Sequence, residues 1–270
     1  MLTRQDMINQ LAWTTPSAVR DLDYNNDYTD AGERAALAFV RDHIIGKPIL
    51  DIGVGTGRTI GLLKPLASEY RAIDYLQSMV ELSRKRYPGV SIELGDARNL
   101  VRMPANHFGF VQFSYNGIDS VGERDRIQVL ANVNRVLVEQ GLFLFSTLNR
   151  NGPIPKQRPW HMIWPKAPNF LRFAVRCARA LLWKPVEALR WYQLHKHEEH
   201  GPGFLVAPLP AHHWAILAHY VSLDRQIEEL ERTGFSVIRV FSNESGHVVL
   251  PGDDTSGIEY FHIVARKRSL

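Results

Sequence analysis

Three glycines at alternate positions, Gly53, Gly55 and Gly57, follow the short apolar run Pro48-Ile-Leu-Asp-Ile52. Without a Cβ they let the backbone turn sharply and come close to a ligand. A second run, Tyr70 to Ile73, ends in Asp74. A carboxylate there can accept hydrogen bonds from two vicinal hydroxyls of a ribose. A third run, Val90 to Leu94, ends in Gly95-Asp96-Ala97, placed to meet an adenine edge. A fourth, Phe108 to Ser114, runs into Tyr115-Asn116-Gly117. One glycine-rich loop is an ordinary turn; four polar strand ends in succession are a ligand crevice.

These positions must be held by elements that the hydrophobic pattern also predicts. Residues 31–45 read as an amphipathic helix capped by Asp30 and stopped by Gly46 and Pro48. Helices are expected over 58–67, 76–86 and 124–137, with strands at 48–52, 70–73, 90–94, 108–114 and 142–147. After a long interruption come a helix over 224–233 and two closing strands, 235–241 and 258–266. Strand and helix in alternation imply a parallel sheet covered on both faces, with its ligand crevice beyond the carboxyl ends of the strands.

Asp51-Ile-Gly-Val-Gly-Thr-Gly57, Ala72-Ile-Asp74, Gly95-Asp-Ala97 and Asn134-Arg-Val-Leu-Val-Glu-Gln-Gly141 together resemble the successive motifs of the class I S-adenosylmethionine-dependent methyltransferases. The resemblance spans residues 28–150 and 220–267. It implies a doubly wound α/β fold with a mostly parallel seven-stranded sheet, the last strand entering antiparallel between the fifth and sixth. It also implies S-adenosylmethionine as cofactor. By position, Asp51 would act near the methionine amino group, and Gly53, Gly55 and Gly57 would line the methionine and ribose. Asp74 would bind the ribose hydroxyls, Tyr75 and Met79 would flank the adenine, and Asp96 and Ala97 would read its edge. Ser114, Tyr115 and Asn116 would face the methionine, with Tyr24 and Tyr28 closing over the cofactor. A nicotinamide-dependent oxidoreductase is the competing reading, but its fingerprint has two residues between the second and third glycines where this chain has one.

Methyl transfer to a hydroxyl needs a nearby base. His212 and His213, in Pro210-Ala-His-His-Trp-Ala215, and then His219 and Tyr220 are the catalytic candidates. The run His195-Lys-His-Glu-Glu-His200 lacks a second matching ligand pair, and no metal is assigned. The fourth strand ends in Ser-Tyr-Asn-Gly, without the Pro-Pro-Tyr of amino-methylating DNA enzymes. The expected acceptor is a small molecule or glycan, with oxygen the favoured atom; nucleic acid is disfavoured. An RNA or lipid-linked acceptor, and a non-catalytic binding subunit, are the alternatives.

The 270 residues, 45% hydrophobic and 22% charged, exclude a disordered or repeat-built chain. One cysteine, Cys177, and a polar opening stretch lead us to expect a cytoplasmic protein without signal peptide or spanning helix. Charge is unevenly spread: residues 151–200 hold nine Lys/Arg against three Glu, so +6, leaving −2 for the rest of a chain of net +4. We therefore divide the chain into a core, 1–150 and 216–270, and a basic, aromatic insertion, 151–215, read as a helical lid. Within it, Phe170 to Lys184 has helical period and Pro185 is expected to break the helix. Phe170, Phe173, Ala174, Cys177 and Leu181 share a face opposite Arg172, Arg176 and Arg179. As a lid this face should be buried; as a surface module, residues 156–196 would touch an anionic membrane peripherally.

Overall fold

The computed structural model describes residues 3–15, 28–161 and 169–269, except the side chains of Leu171, Arg176 and Arg179. Tyr24 lies outside the described residues. The strands are β1 (Pro48–Ile52), β2 (Glu69–Asp74), β3 (Ser91–Leu94), β4 (Phe108–Phe113), β5 (Leu137–Asn149), β6 (Glu199–Gly201), β7 (Phe204–Leu209), β8 (Ile216–Val221), β9 (Phe235–Ser242) and β10 (Tyr260–Lys267). The helices are α1 (Arg4–Trp13), α2 (Ala31–Ile44), α3 (Ile60–Leu63), α4 (Gln77–Arg86), α5 (Glu123–Val136), α6 (Phe170–His195) and α7 (Leu223–Arg232).

Seven strands lie in the order β3-β2-β1-β4-β5-β10-β9. The first five are parallel, and β10 enters antiparallel between β5 and β9 as expected. Alternation along β1 divides the core. Leu50 and Ile52 pack with Val129, Leu130 and Val133 of α5 and Leu230 of α7. Ile49 packs with Ala36, Val40 and Ile44 of α2 and Val80 of α4. Side chains of successive strand residues point to opposite faces, so one apolar run serves both layers. Asp30 caps α2 by accepting from the Glu33 amide at 2.8 Å, and also accepts from the Tyr260 hydroxyl at 2.8 Å. That carboxylate therefore ties α2 to β10.

The insertion departs from a helical lid. Its strands β6 and β7 pair antiparallel with each other, and β7 pairs along its whole length with β8. β8 in turn meets the end of β5 at Leu148 and Asn149. The sheet thus continues into the insertion, and the boundary at 215/216 cuts a hairpin. Pro185 does not break the helix: α6 runs for 26 residues through it. A proline removes one backbone hydrogen bond, and the helix-forming residues on both sides carry the helix past it. The 58–67 helix shrinks to α3 and a 3₁₀ turn over 64–66.

Candidate active site

The carboxyl ends of β1, β2 and β4 open on a cavity of about 770 Å³. In its floor, the Gly53 and Val54 amides donate to the Ile73 carbonyl, folding the loop back on β2. Gly55, at φ +55°, donates its amide to Asp74 Oδ2 at 2.9 Å, and the Leu76 amide donates to Asp74 Oδ1 at 2.9 Å. Burial raises the Asp74 pKa while these amides pull it down. The carboxylate is thus held rigidly by backbone at the cavity wall, with further acceptor capacity on both oxygens. A Cβ on Gly55 would meet only the Gly53 carbonyl oxygen, at 4.0 Å, so the loop leaves open space here.

Tyr75, Leu76, Met79, Leu94, Asp96 and Ala97 line one end of the cavity. Asp96 is engaged by its neighbour: Arg98 Nη2 donates to Asp96 Oδ2 at 2.7 Å. The same guanidinium donates to Asp6 at 2.8 Å and Asp125 at 2.9 Å, joining α1, the β3 end and α5 around one charge. At the other end lie Ser114, Tyr115 and Asn116. Tyr115 and Asn116 are both left-handed, at φ +56° and +58°, a backbone strain that turns the chain at the end of β4. The Asn116 amide donates to Ser146 Oγ at 2.7 Å, while its buried side-chain Oδ1 has no partner among the described residues. Behind them Arg58 pairs with Glu33 through both guanidinium amines, donates to Ser114 Oγ at 3.1 Å and sits 5.5 Å over the Tyr115 ring.

The roof is α1. Asn9 imitates a strand, donating to the Leu217 carbonyl at 2.8 Å and accepting from the Leu217 amide at 2.9 Å. Its other amide hydrogen bond reaches the Ser120 carbonyl at 3.0 Å. With Asn9 fixed, Asp6, Gln10 and Trp13 also line the cavity. No motif marked these residues, because a short N-terminal helix declares its partner only through contacts more than a hundred residues away. Arg98, Arg58 and Glu33 belong to no motif either, and only the fold brings their charges together.

Most of the residues singled out in the sequence meet here: Tyr28, Gly53, Gly55, Asp74, Tyr75, Met79, Asp96, Ala97, Ser114, Tyr115 and Asn116 all line the cavity. Asp51 and Gly57 do not. The Asp51 side chain points beneath the sheet end, accepting from the hydroxyls of Thr59 and Tyr70, and burial pushes its pKa up to about 6. Gly57, at φ +96°, makes room for the Tyr87 ring.

Of the catalytic candidates only His212 reaches the cavity, edge-on to Trp13 with ring centroids 4.5 Å apart. His213 turns outward, stacked on Trp183 and bonded to Glu187 at 3.0 Å. His219 and Tyr220 lie on β8 rather than on a loop and are fully buried. His219 meets Glu123 at 2.7 Å, and the Tyr220 hydroxyl has no hydrogen-bond partner among the described residues. Strand alternation sends the β8 side chains into packing on either face. His212, His213 and Trp214 are all at φ between +55° and +58°. That strained turn aims successive side chains in different directions.

Residues 49–141 match a family model described as a methyltransferase domain. That stretch is a methyltransferase domain. The chain's strand order and antiparallel β10 agree with that assignment. No curated protein matches the sequence. Among solved structures, a Methanosarcina mazei S-adenosylmethionine-dependent methyltransferase is 18% identical, with TM-score 0.56, covering 86% of this chain and 98% of its own. The Burkholderia thailandensis 1,6-didemethyltoxoflavin-N1-methyltransferase, crystallised with 1,6-didemethyltoxoflavin and S-adenosylhomocysteine, is 14% identical at TM-score 0.59, covering 100% and 92%. An amino pentose methyltransferase from Micromonospora echinaspora, crystallised with S-adenosylmethionine, is 14% identical at TM-score 0.54, covering 92% and 96%. Identities this low show a shared fold.

The cavity fits the cofactor on its own geometry. The unpartnered Asn116 Oδ1 suits a donor such as the cofactor's amino group, and the open space at Gly55 suits a close-lying sugar.

Proposed function

We propose that this methyltransferase modifies an oxygen of a small, largely apolar organic acceptor or of a glycan bearing such a group, with His212 as the base. The observation that carries the reading is the wall of the cavity away from Asp74. It is built from Trp13, Ile154, Leu209, Ile216 and Leu217, with His212 among them. Bound S-adenosylmethionine supplies a methyl group already activated on a sulfonium. The protein's own residues then act by placement, which is worth up to about 7–11 kcal/mol in favourable cases. Asp74 would accept from the ribose hydroxyls, Asp96 and Ala97 would meet the adenine, and Asn116 Oδ1 would accept from the amino group. Tyr115 and Tyr28 border the acceptor side, and the Trp13 edge holds the His212 ring. His212 would take the acceptor's hydroxyl proton, and the oxygen would gain the methyl as its bond to sulfur breaks and S-adenosylhomocysteine is released.

Calorimetric titration with S-adenosylhomocysteine tests the cofactor site, and an intact fold without micromolar binding overturns it. Against an acceptor found by screening, His212→Asn should lower kcat by about 10²–10⁴-fold, the usual contribution of a positioned base. Affinity for S-adenosylhomocysteine should stay unchanged. A nitrogen acceptor is the second reading, favoured by the Burkholderia neighbour, an N1-methyltransferase. An amine that arrives unprotonated needs no base, so a His212→Asn variant with full kcat selects that reading.

A further inference from the structure

The long helix α6 faces the wrong way for a lid. The side that packs on the protein is aromatic and polar: Trp183 stacks on His213 at 4.3 Å, Glu187 bonds to His213, and Trp191 meets Trp160 at 5.3 Å. The opposite side is apolar and exposed. Phe170 is 83% exposed, Leu182 79% and Tyr192 74%, and Leu181, Val186 and Leu189 are also exposed. The expectation that Phe170 and Leu181 would be covered is overturned. At about 100° per residue these six side chains fall within an arc of roughly 160°. No Lys, Arg, Asp or Glu of α6 falls within that arc. Over 26 residues it runs about 39 Å, a contiguous apolar surface that soluble monomers seldom leave bare.

We propose that this face of α6 docks on the surface of an anionic lipid bilayer. Charge complementarity selects that occupant. Residues 151–200 carry +6 in a chain whose remainder is −2. Exposed Arg172 borders the apolar arc, and exposed Lys156 and Lys196 lie in the same stretch. Two copies meeting through this face would bring +6 against +6, whereas anionic headgroups answer both features together. An apolar face with a basic border lies in the interface plane and sinks about 5–10 Å. No described helix is long and apolar enough to cross the bilayer, so the contact is peripheral. The packed side of α6, opposite the docked face, reaches to one residue from the cavity, because it clamps His213 while His212 lines the wall.

The test is flotation of the full chain with vesicles of phosphatidylcholine containing about one-third phosphatidylglycerol, against phosphatidylcholine alone. The wild type should float with the anionic vesicles, only weakly with the neutral ones, and be released as salt shortens the Debye length. Arg172→Gln should lower the partition about fivefold, the equivalent of one lost surface cation. The double variant Leu182→Glu/Leu189→Glu should abolish flotation while keeping its S-adenosylhomocysteine affinity, which separates docking from misfolding and from the cofactor reading. No flotation with anionic vesicles at low salt, or equal flotation with neutral ones, overturns the proposal. A wild-type dimer in sedimentation, split by the double variant and indifferent to vesicles, also overturns it in favour of a second copy.

Discussion

Asp74 and Asp51 are both acids at the ends of adjacent strands, and only their surroundings separate their work. Asp74 is held by two backbone amides at the cavity wall. Asp74→Ala should weaken S-adenosylhomocysteine by about 1–3 kcal/mol, the cost of losing hydrogen bonds to a charged acceptor. Normal binding by that variant, read by calorimetry, would show that the ribose lies elsewhere. Asp51 instead accepts from Thr59 and Tyr70 away from the cavity. Its replacement belongs to folding, since Thr59 and Tyr70 would lose a shared buried acceptor. The two glycines divide similarly: Gly55 borders the cavity, and Gly57 accommodates an aromatic ring.

At the level of elements, Asn9 ties the roof to β8, with Gln5 and the Arg98 cluster beside it. Asn9 closes a pair of hydrogen bonds with the Leu217 backbone of β8 and a third with Ser120. A buried amide that satisfies backbone groups costs about 1–3 kcal/mol when removed, because those groups are then left unpaired. Asn9→Ala should therefore loosen α1 and with it Trp13 and Asp6. Hydrogen exchange should rise selectively over residues 4–13, with a weaker acceptor KM and little change in the protection of β1 and β4. Equal protection of α1 in the variant and wild type would show that Gln5 and the Arg98 cluster suffice to hold the helix. Pro185 carries a complementary lesson, since α6 continues through a residue that sequence rules make a terminator.

For the whole molecule, acid stability follows from its buried titrating groups. Burial pushes His219 down to about 4, so it stays neutral in the fold and donates from Nε2 to Glu123. The unfolded chain takes up that proton near pH 6.5. Between about pH 6.5 and 4 the unfolded state therefore binds more protons, and the His219 contribution destabilises the fold as pH falls. Asp51, raised to about 6, works in the opposite sense over a similar window. His219→Gln keeps a donor for Glu123 but cannot titrate. Urea unfolding at pH 7 and pH 4.5 should show it gaining about 2–3 kcal/mol on the wild type across that interval. Parallel curves would mean that His219 is protonated in the fold.

What the sequence determined by itself is local: which runs form strands, where each ends, and which polar residues stand there. The Gly53–Gly55 loop, Asp74, Asp96–Ala97 and Ser114–Asn116 were legible because a parallel sheet gathers its strand ends at one edge, whatever the rest of the chain does. The antiparallel last strand was legible through resemblance alone. Tertiary structure decided what depends on direction. His212 and His213 are neighbours, yet a left-handed turn sends one to the cavity and the other to Trp183. His219 and Tyr220 looked available until β8 took its place against β7 and β5 and buried them. The amphipathic period of α6 was plain in the chain, but period fixes only that two faces differ. Which face meets the protein is set by packing against Trp160 and His213, and here packing turned the apolar side outward.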